Sequence, residues 1–537
     1  MATVVLVELT PVIPSLGRSI VMPRSGLLTI ASILAERTSH KVELLFEPYV
    51  GGLDPQDIAR KEPQYVLVNG LTTTALRTRL FIAQLRKIMK TPVTVIAGGE
   101  HATMFPKDAR TYADFVLRWE GDIGVTALLK ALDQGDRQRR DEELAAIPGL
   151  VWEDTAGCEQ QNPIAGRVQP INYRYNFSVV AGASEASSRY RLSQLPVQTS
   201  RGCLYACSFC SWIGLFGKSG YMVRPVEDVV YDVEHGMDYT GIINFMIVDN
   251  LFGGNLEYTE DLLGSIVRAF EFRQMRPTFT VLCRADQIIA GPRVFSNSLL
   301  TLMGRAGVTH VSLGIESLNR QSLLSMKKGS NVTLYRAAAD RLRHFGFKID
   351  ATYVTGYGDK TLQDVHSIAE FSCEMGCFTI QVYAHAITPG VPDSRNDVHR
   401  QIPYSWTPFA NGHAVTTFPR KMLPSILQRS IFDTASRFYS QSGPEKRLVG
   451  RIYRQIERAF LPYQLALEEI ERDVLLPMEI YKQERGDFIL NEQRLLRVIN
   501  DQQHVADFSS KIRAVFEHAI YAAPSTLPGA GRGRGPA

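Results

Sequence analysis

The stretch Val197-Gln198-Thr199-Ser200-Arg201-Gly202-Cys203-Leu204-Tyr205-Ala206-Cys207-Ser208-Phe209-Cys210 decides how the rest of the chain is read. A strand-like start gives way to a glycine and then to three cysteines within eight positions, the pattern of a strand that delivers a ligating loop. The other four of the seven cysteines, Cys158, Cys283, Cys373 and Cys377, are scattered. An odd, clustered set points to ligation rather than to a disulfide framework. Three thiolates from one loop can hold three corners of a four-iron, four-sulfur (4Fe-4S) cluster and leave the fourth iron open to an exogenous ligand. A structural zinc site needs four ligands, and no nearby Cys or His completes a finger spacing; the closest histidine is His235. Cys373 and Cys377, spaced i, i+4, are read as packing residues on one helix face.

Working outward, Val197–Thr199 is the first of six strand-like runs, followed by Asn244–Val248, Thr278–Leu282, His310–Leu313, Ala351–Val354 and Thr379–Val382. Helical segments separate them. Six β/α units over residues 196–400 predict a partial (β/α)6 barrel of TIM type with its site at the C-terminal rim. Upstream, residues 1–140 alternate short runs (Val4–Val7, Val42–Phe46, Tyr65–Val68, Val93–Ala97, Phe115–Leu117) with helix-period stretches such as Gly26–Arg37 and Ala75–Met89. That alternation predicts a Rossmann-like parallel sheet holding ligands at the carboxyl ends of its strands. Those ends carry Asn69-Gly70, Gly98-Gly99-Glu100-His101 and Trp119-Glu120-Gly121-Asp122. No G-x-G-x-x-G follows the first strand, where Glu8-Leu9-Thr10-Pro11 stands, so a dinucleotide is disfavoured.

Residues 141–195, rich in polar residues and glycine, are read as a connector. Residues 401–520 are read as a helical domain, with Ile456, Phe460, Tyr463, Leu467, Ile470 and Val474 on one face. The Gly/Arg-rich end, 521–537, is expected to be a disordered tail. The fold class is α/β: an N-terminal Rossmann-like domain, a barrel, and a C-terminal helical region.

Composition bounds the partners. Of 537 residues 45% are hydrophobic and 21% charged, with 59 Lys and Arg against 55 Asp and Glu, a net charge of +4. This is ordinary globular usage with no basic block, so nucleic acid is not the expected partner. No run of about 18 apolar residues predicts a membrane span. Met1–Val7 enters an apolar run with no basic leader, which gives the expectation of a buried first strand in a cytoplasmic protein.

The Cys-x3-Cys-x2-Cys spacing directly after a first strand, with Phe209 before the last cysteine, resembles the radical S-adenosylmethionine superfamily. The resemblance implies that Cys203, Cys207 and Cys210 ligate the 4Fe-4S cluster, whose open iron chelates the methionine amine and carboxylate of S-adenosylmethionine, and that Phe209 contacts adenine. It carries further roles to rim positions in register: Asp249 in Val248-Asp249-Asn250-Leu251-Phe252, Arg284 after the third strand, Ser312 and Glu316 on the fourth, and Gly356 after the fifth. Ser312 and Glu316 are expected at the ribose hydroxyls and Gly356 beside adenine. Arg284 has two readings: a contact to the methionine carboxylate, or a structural pair with Asp286 or Glu316. Tyr383 and His385, after the last barrel strand, are the substrate-side candidates.

Pro92–Thr103 and Trp119-Glu120-Gly121-Asp122 resemble the cobalamin-binding domain of the cobalamin-dependent radical subfamily, and the likeness runs from residue 1 to about 440. It implies that Asn69, Thr72, Gly98, Gly99, His101 and Glu120 hold cobalamin. Trp119 and Asp122 depart from the subfamily's Gly-Glu-Gly-Glu string, and Leu204 stands where proline is common. No Asp-x-His-x-x-Gly occurs in this domain, so His101 is read as a hydrogen bonder to the corrin periphery or tail rather than as a cobalt ligand. The resemblance implies a class B methyltransferase in which an adenosyl radical removes hydrogen from the substrate, and the substrate radical takes a methyl group from methylcobalamin. Its acceptor would be an unactivated carbon or phosphorus centre of a small molecule, as in antibiotic and other secondary-metabolite assembly, with a reductase such as flavodoxin or ferredoxin supplying electrons. Two rivals are an oxidative, ring-modifying cyclase on the same scaffold and a cobalamin-binding sensor with a structural cluster.

Overall fold

The computed structural model describes the chain apart from residues 12–19, 135–136, 165–171, 191–192, 217–219, 359, 387–411, 441–442, 485–486, 501–509 and 511–537. The expected tail at 521–537 lies outside the described residues. Strands β1 (Thr3–Glu8), β2 (Lys41–Phe46), β3 (Tyr65–Asn69), β4 (Thr94–Gly98), β5 (Phe115–Leu117), β6 (Leu150–Glu153) and β7 (Glu159–Gln161) form one sheet in the order β2-β1-β3-β4-β5-β6-β7. The first five are parallel. Helices cover both faces: Val4 and Leu6 pack with Leu27, Leu28 and Leu128, whereas Val5 and Val7 pack with Phe81, Ile82 and Leu85. This two-sided cover explains why β1 is an unbroken apolar run. The strand order reverses at β1, which opens a crevice at the carboxyl ends of β1 and β3.

The sheet runs past residue 140. β6 pairs antiparallel with β5, and β7 with β6. The stretch read as a connector therefore completes the first sheet, and its Tyr173, Tyr175 and Phe177 are buried in the core. β7 is Glu-Gln-Gln, which carries no apolar alternation; it pairs with β6 through its backbone, and Gln160 Nε2 donates to Asp154 Oδ2 at 2.7 Å.

β8 (Leu195–Val197) begins the second sheet. β9 (Ser200–Gly202) and β10 (Tyr221–Val223) form a small antiparallel ribbon that brackets the cysteine loop. β11 (Asn244–Ile247), β12 (Thr278–Cys283), β13 (Val308–Glu316), β14 (Lys348–Thr355) and β15 (Thr379–Ala384) follow, giving a six-stranded parallel sheet in chain order from β8 to β15. This is the partial barrel. Its strands alternate: Phe279, Val281, Ile349, Ala351, Ile380 and Val382 are buried, while Thr278, Thr280, Asp350, Thr352, Thr379 and Gln381 on the opposite face are half-buried. Side-chain caps start the connecting helices. Asn255 accepts from Tyr258 N, Asn331 from Leu334 N, and Thr361 forms a reciprocal capping box with Asp364.

Helices Pro424–Ser440 and Pro444–Ile470 cover β15, where Tyr439 Oη donates to Ile380 O at 2.8 Å. The region read as wholly helical also contains a hairpin, β16 (Tyr481–Glu484) with β17 (Asp487–Leu490). Cys373 and Cys377 do not share a helix face. The helix Leu362–Glu374 ends between them, and Cys377 N caps it by donating to Ser372 O at 3.0 Å. Among the described residues no helix is long and apolar enough to cross a membrane.

Candidate functional site

The cysteine loop hangs from β9 at the barrel rim and is held on every side. Asp249, buried after β11, accepts from Thr199 N at 2.7 Å, from Ser200 Oγ at 2.6 Å and from Thr199 Oγ1. It therefore fastens the lead-in to the loop instead of pointing across the rim. Ser208 donates through its backbone to Met326 O and through its hydroxyl to Ser325 O. Arg284 forms a two-pronged pair with Asp286 (2.9 and 2.8 Å), donates to Lys328 O, lies 3.8 Å from the Tyr205 ring centroid and places Nη1 3.6 Å from Cys207 Sγ. The structural reading of Arg284 is thus the observed one, with the guanidinium spent on the loop itself.

Cys203, Cys207 and Cys210 are half-buried free thiols. Burial pushes the Cys203 and Cys210 thiols up, a penalty that coordination to cationic iron reverses. Three soft donors on one loop suit an iron–sulfur cluster. Among the described residues no three His, Cys, Asp or Glu side chains are grouped to hold a single metal ion.

Along β13, Ser312 and Gly314 share one face by the two-residue period, and although the register shifts between Gly314 and Glu316, the Glu316 carboxylate lies over Gly314, 2.6 Å from where a Cβ would stand. Glu316 ends the strand in left-handed backbone, φ +64, and its Oε1 is 2.9 Å from Lys328 Nζ. Lys360 is buried beside it and donates to Glu316 O and Val354 O; burial lowers its ammonium to about 8. Gly356 has φ +74, and a Cβ there would come within 2.7 Å of Leu427. Phe209 is half-buried in the loop. The sequence reasoning did not single out Lys328 and Lys360, although the pair Lys327-Lys328 before Gly329 was there to be read. Tyr383 stacks on the His413 ring at 5.3 Å, with its hydroxyl on Gln381, while His385 is buried against Tyr357.

A cavity of about 220 Å³ lies at the carboxyl ends of β3, β4 and β5 and reaches the barrel at Gln198, Arg201 and Trp212. Asn69, Gly98, Gly99 and Glu120 line it, whereas Thr72 and His101 do not. His101 is fully buried, with Nε2 3.0 Å from Asp108 and Nδ1 3.4 Å from Thr72 Oγ1. Gly99 has φ +89, and a Cβ there would stand 1.9 Å from Asn69 Oδ1. That Asn69 oxygen is buried without a hydrogen-bond partner, so the wall offers an acceptor to an amide-bearing ligand.

Two polar ties bind the cavity wall to the cysteine loop. Arg201, two residues before Cys203, is 3.3 Å from Glu120 and 3.0 Å from Asp122, all three nearly buried. Burial works to lower its guanidinium pKa, but the two carboxylates outweigh that and the net direction is up. On the far side, Ser211 follows Cys210 and hydrogen-bonds Glu100, whose carboxyl is pushed up by burial.

Residues 197–372 match the radical SAM superfamily. An uncharacterized methyltransferase of Pyrococcus horikoshii is 25% identical over 360 residues, covering 65% of this chain and 73% of the relative. The anaerobic magnesium-protoporphyrin IX monomethyl ester cyclase of Synechocystis is 25% identical over 366 residues, covering 65% and 68%. The solved radical S-adenosylmethionine methyltransferase TsrM from Kitasatospora setae, with cobalamin and a [4Fe-4S] cluster bound, superposes with a TM-score of 0.59 at 15% identity, over 96% of this chain and 99% of that one. Residues 197–372 thus carry a radical SAM superfamily domain, and the fold of the chain as a whole is similar to that of the cobalamin-dependent radical SAM enzymes.

Proposed function

We propose that this chain methylates an unactivated carbon or phosphorus centre of a small molecule, of the kind found in antibiotic and other secondary-metabolite assembly. The observation that carries the reading is the Arg201 contact with Glu120 and Asp122, which joins the lead-in of the cysteine loop to the wall of the first-domain cavity. When bound, the cluster with S-adenosylmethionine supplies one-electron hydrogen abstraction, and cobalamin supplies the methyl group. The chain's own residues bind and orient. Cys203, Cys207 and Cys210 hold the cluster; Arg284 braces the loop through Cys207 and Tyr205. Lys328 and Glu316 present a cation and a carboxylate side by side at the rim, complementary to the carboxylate and amine of a bound amino acid moiety. Asn69, Gly98, Gly99 and Glu120 form the corrinoid wall.

The polar, half-buried inner face of β12, β14 and β15 favours a substrate with hydrogen-bonding groups. The small net charge favours a small molecule over nucleic acid. A cytoplasmic flavodoxin- or ferredoxin-type reductase would supply electrons. The test is anaerobic: reduced, reconstituted protein is incubated with methyl-deuterated S-adenosylmethionine and a producer-cell metabolite extract. Deuterated methyl appearing in a small-molecule product supports methylation. A product that loses hydrogen and gains no label favours the ring-oxidising alternative.

A further inference from the structure

Lys360 places an ammonium where the fold works against it. It stands directly before Thr361, the N-cap of the helix Leu362–Glu374, where the helix dipole disfavours a cation, and it is buried. Burial pushes its ammonium down to about 8, against the pull of the Glu316 and Asp364 carboxylates. A cation so placed must be held by its contacts.

Those contacts close a gap in the barrel sheet. The register between β13 and β14 shifts after Gly314, and the pairing ends at Glu316 with Tyr353. At that end Lys360 Nζ donates to Glu316 O at 3.2 Å and to Val354 O, so one ammonium ties the two strand ends together. Glu316 sits there with φ +64, a left-handed conformation that a non-glycine residue keeps only where its surroundings fix it. Three contacts do so: Lys360 on its carbonyl, Lys328 on its carboxylate at 2.9 Å, and the turn in which Ser317 N donates to Ile315 O at 2.8 Å.

We propose that Lys360 is a positioning residue that holds the Glu316 carboxylate at the ribose of S-adenosylmethionine by clamping the ends of β13 and β14. This rests on the reading of Glu316 as a contact to that cofactor. An ammonium donates to a carbonyl roughly twice as strongly as a neutral amine, so the clamp slackens as Lys360 loses its proton above about 8. The other charged and titratable groups acting on Lys360 or Glu316 are Lys328, Asp364 and the hydroxyls of Tyr335 and Tyr383, which burial keeps protonated. Stability moves the other way. Unfolding returns the lysine to its ordinary value of 10.5, so the fold gains as pH rises above about 8 while cofactor affinity falls. A role confined to stability predicts no such fall.

The test is equilibrium binding of S-adenosylmethionine to the anaerobically reconstituted full chain, with iron content measured beside it. Lys360→Met, which loses both bonds, should weaken binding about 5- to 30-fold at about pH 7. Lys360→Arg, which stays charged, should bind within about threefold of wild type at about pH 7, and its affinity relative to wild type should rise about threefold or more by about pH 9. Effects of pH on S-adenosylmethionine itself cancel in that ratio. If either substitution costs iron, wild type decides alone: its affinity for 5′-methylthioadenosine, which has no group titrating between about pH 7 and about pH 9, should fall about threefold or more over that interval. Wild-type affinity in Lys360→Met, a ratio that does not move with pH, or a pH-independent nucleoside affinity overturns the proposal. Glu316→Gln separates the two readings: if it binds S-adenosylmethionine as wild type does, Glu316 is no cofactor contact and the proposal falls with that reading.

Discussion

Arg201 and Asp122, 79 residues apart in sequence, meet at 3.0 Å between the two sheets, with Glu120 on the same guanidinium at 3.3 Å. The arginine two residues before Cys203 is therefore neutralised by the first domain. Removing one partner of a buried pair costs more than removing the whole group, because a stranded charge remains. Arg201→Met should destabilise the chain by about 3–5 kcal/mol and lower iron retention. Adding Glu120→Gln and Asp122→Asn should restore much of that stability. Chemical denaturation of the single and triple variants checks it; a triple variant weaker than the single one contradicts the pairing.

Replacing Cys203, Cys207 or Cys210 by Ala should abolish retention of about four irons per chain after anaerobic reconstitution. Cys373→Ala and Cys377→Ala should leave iron content unchanged, since Cys377 is buried at a helix end and Cys373 lies on that helix. Iron assay of the five variants decides the assignment.

Of Gly98, which ends β4, and Gly99, which follows it, Gly99 is the sensitive one. At φ +89, with Asn69 Oδ1 1.9 Å from its would-be Cβ, Gly99→Val must displace Asn69 from the cavity wall. Cobalamin affinity should fall by about tenfold or more, on the scale of one lost hydrogen bond plus strain, with iron content intact. An absorbance titration beside an iron assay reads both.

Glu471 gives the C-terminal region a pH dependence. Burial raises its carboxyl to about 7, against the opposing hydrogen bonds from Ser425 N and Oγ. The folded chain holds a proton there that the unfolded chain releases above its ordinary value of 4.5. The stability from this proton is full below that value and is lost as pH rises to about 7, a change of roughly 3 kcal/mol. Glu471→Gln should remove this part of the slope, as unfolding at about pH 5 and about pH 7.5 would reveal.

Local signals carried most of the architecture. The cysteine spacing is contiguous, and the strand-helix alternation of both sheets depends on near neighbours, so each was legible in the sequence. Elements with no periodicity of their own were not: Glu159–Gln161 is polar and joins the first sheet without burying an apolar side chain, and the hairpin of β16 and β17 sits among helices. Long-range pairing was equally silent. Nothing near Asp249 in sequence announces that it caps Thr199 and Ser200 some 50 residues earlier. Nor could spacing choose between the two readings of Arg284; that took the observed contacts with Asp286 and Lys328 O. Backbone strain at Trp119, where φ is +73, has no sequence signature beyond the departure from glycine.

The proposed role of cobalamin in this chain, as a methyl carrier, is testable without knowing the substrate. Reconstituted protein loaded with cobalamin, reduced anaerobically and given methyl-deuterated S-adenosylmethionine, should release one S-adenosylhomocysteine per bound corrinoid and retain the deuterated methyl on the protein. Release of 5′-deoxyadenosine with no S-adenosylhomocysteine and no retained label would show that cobalamin here does not carry methyl.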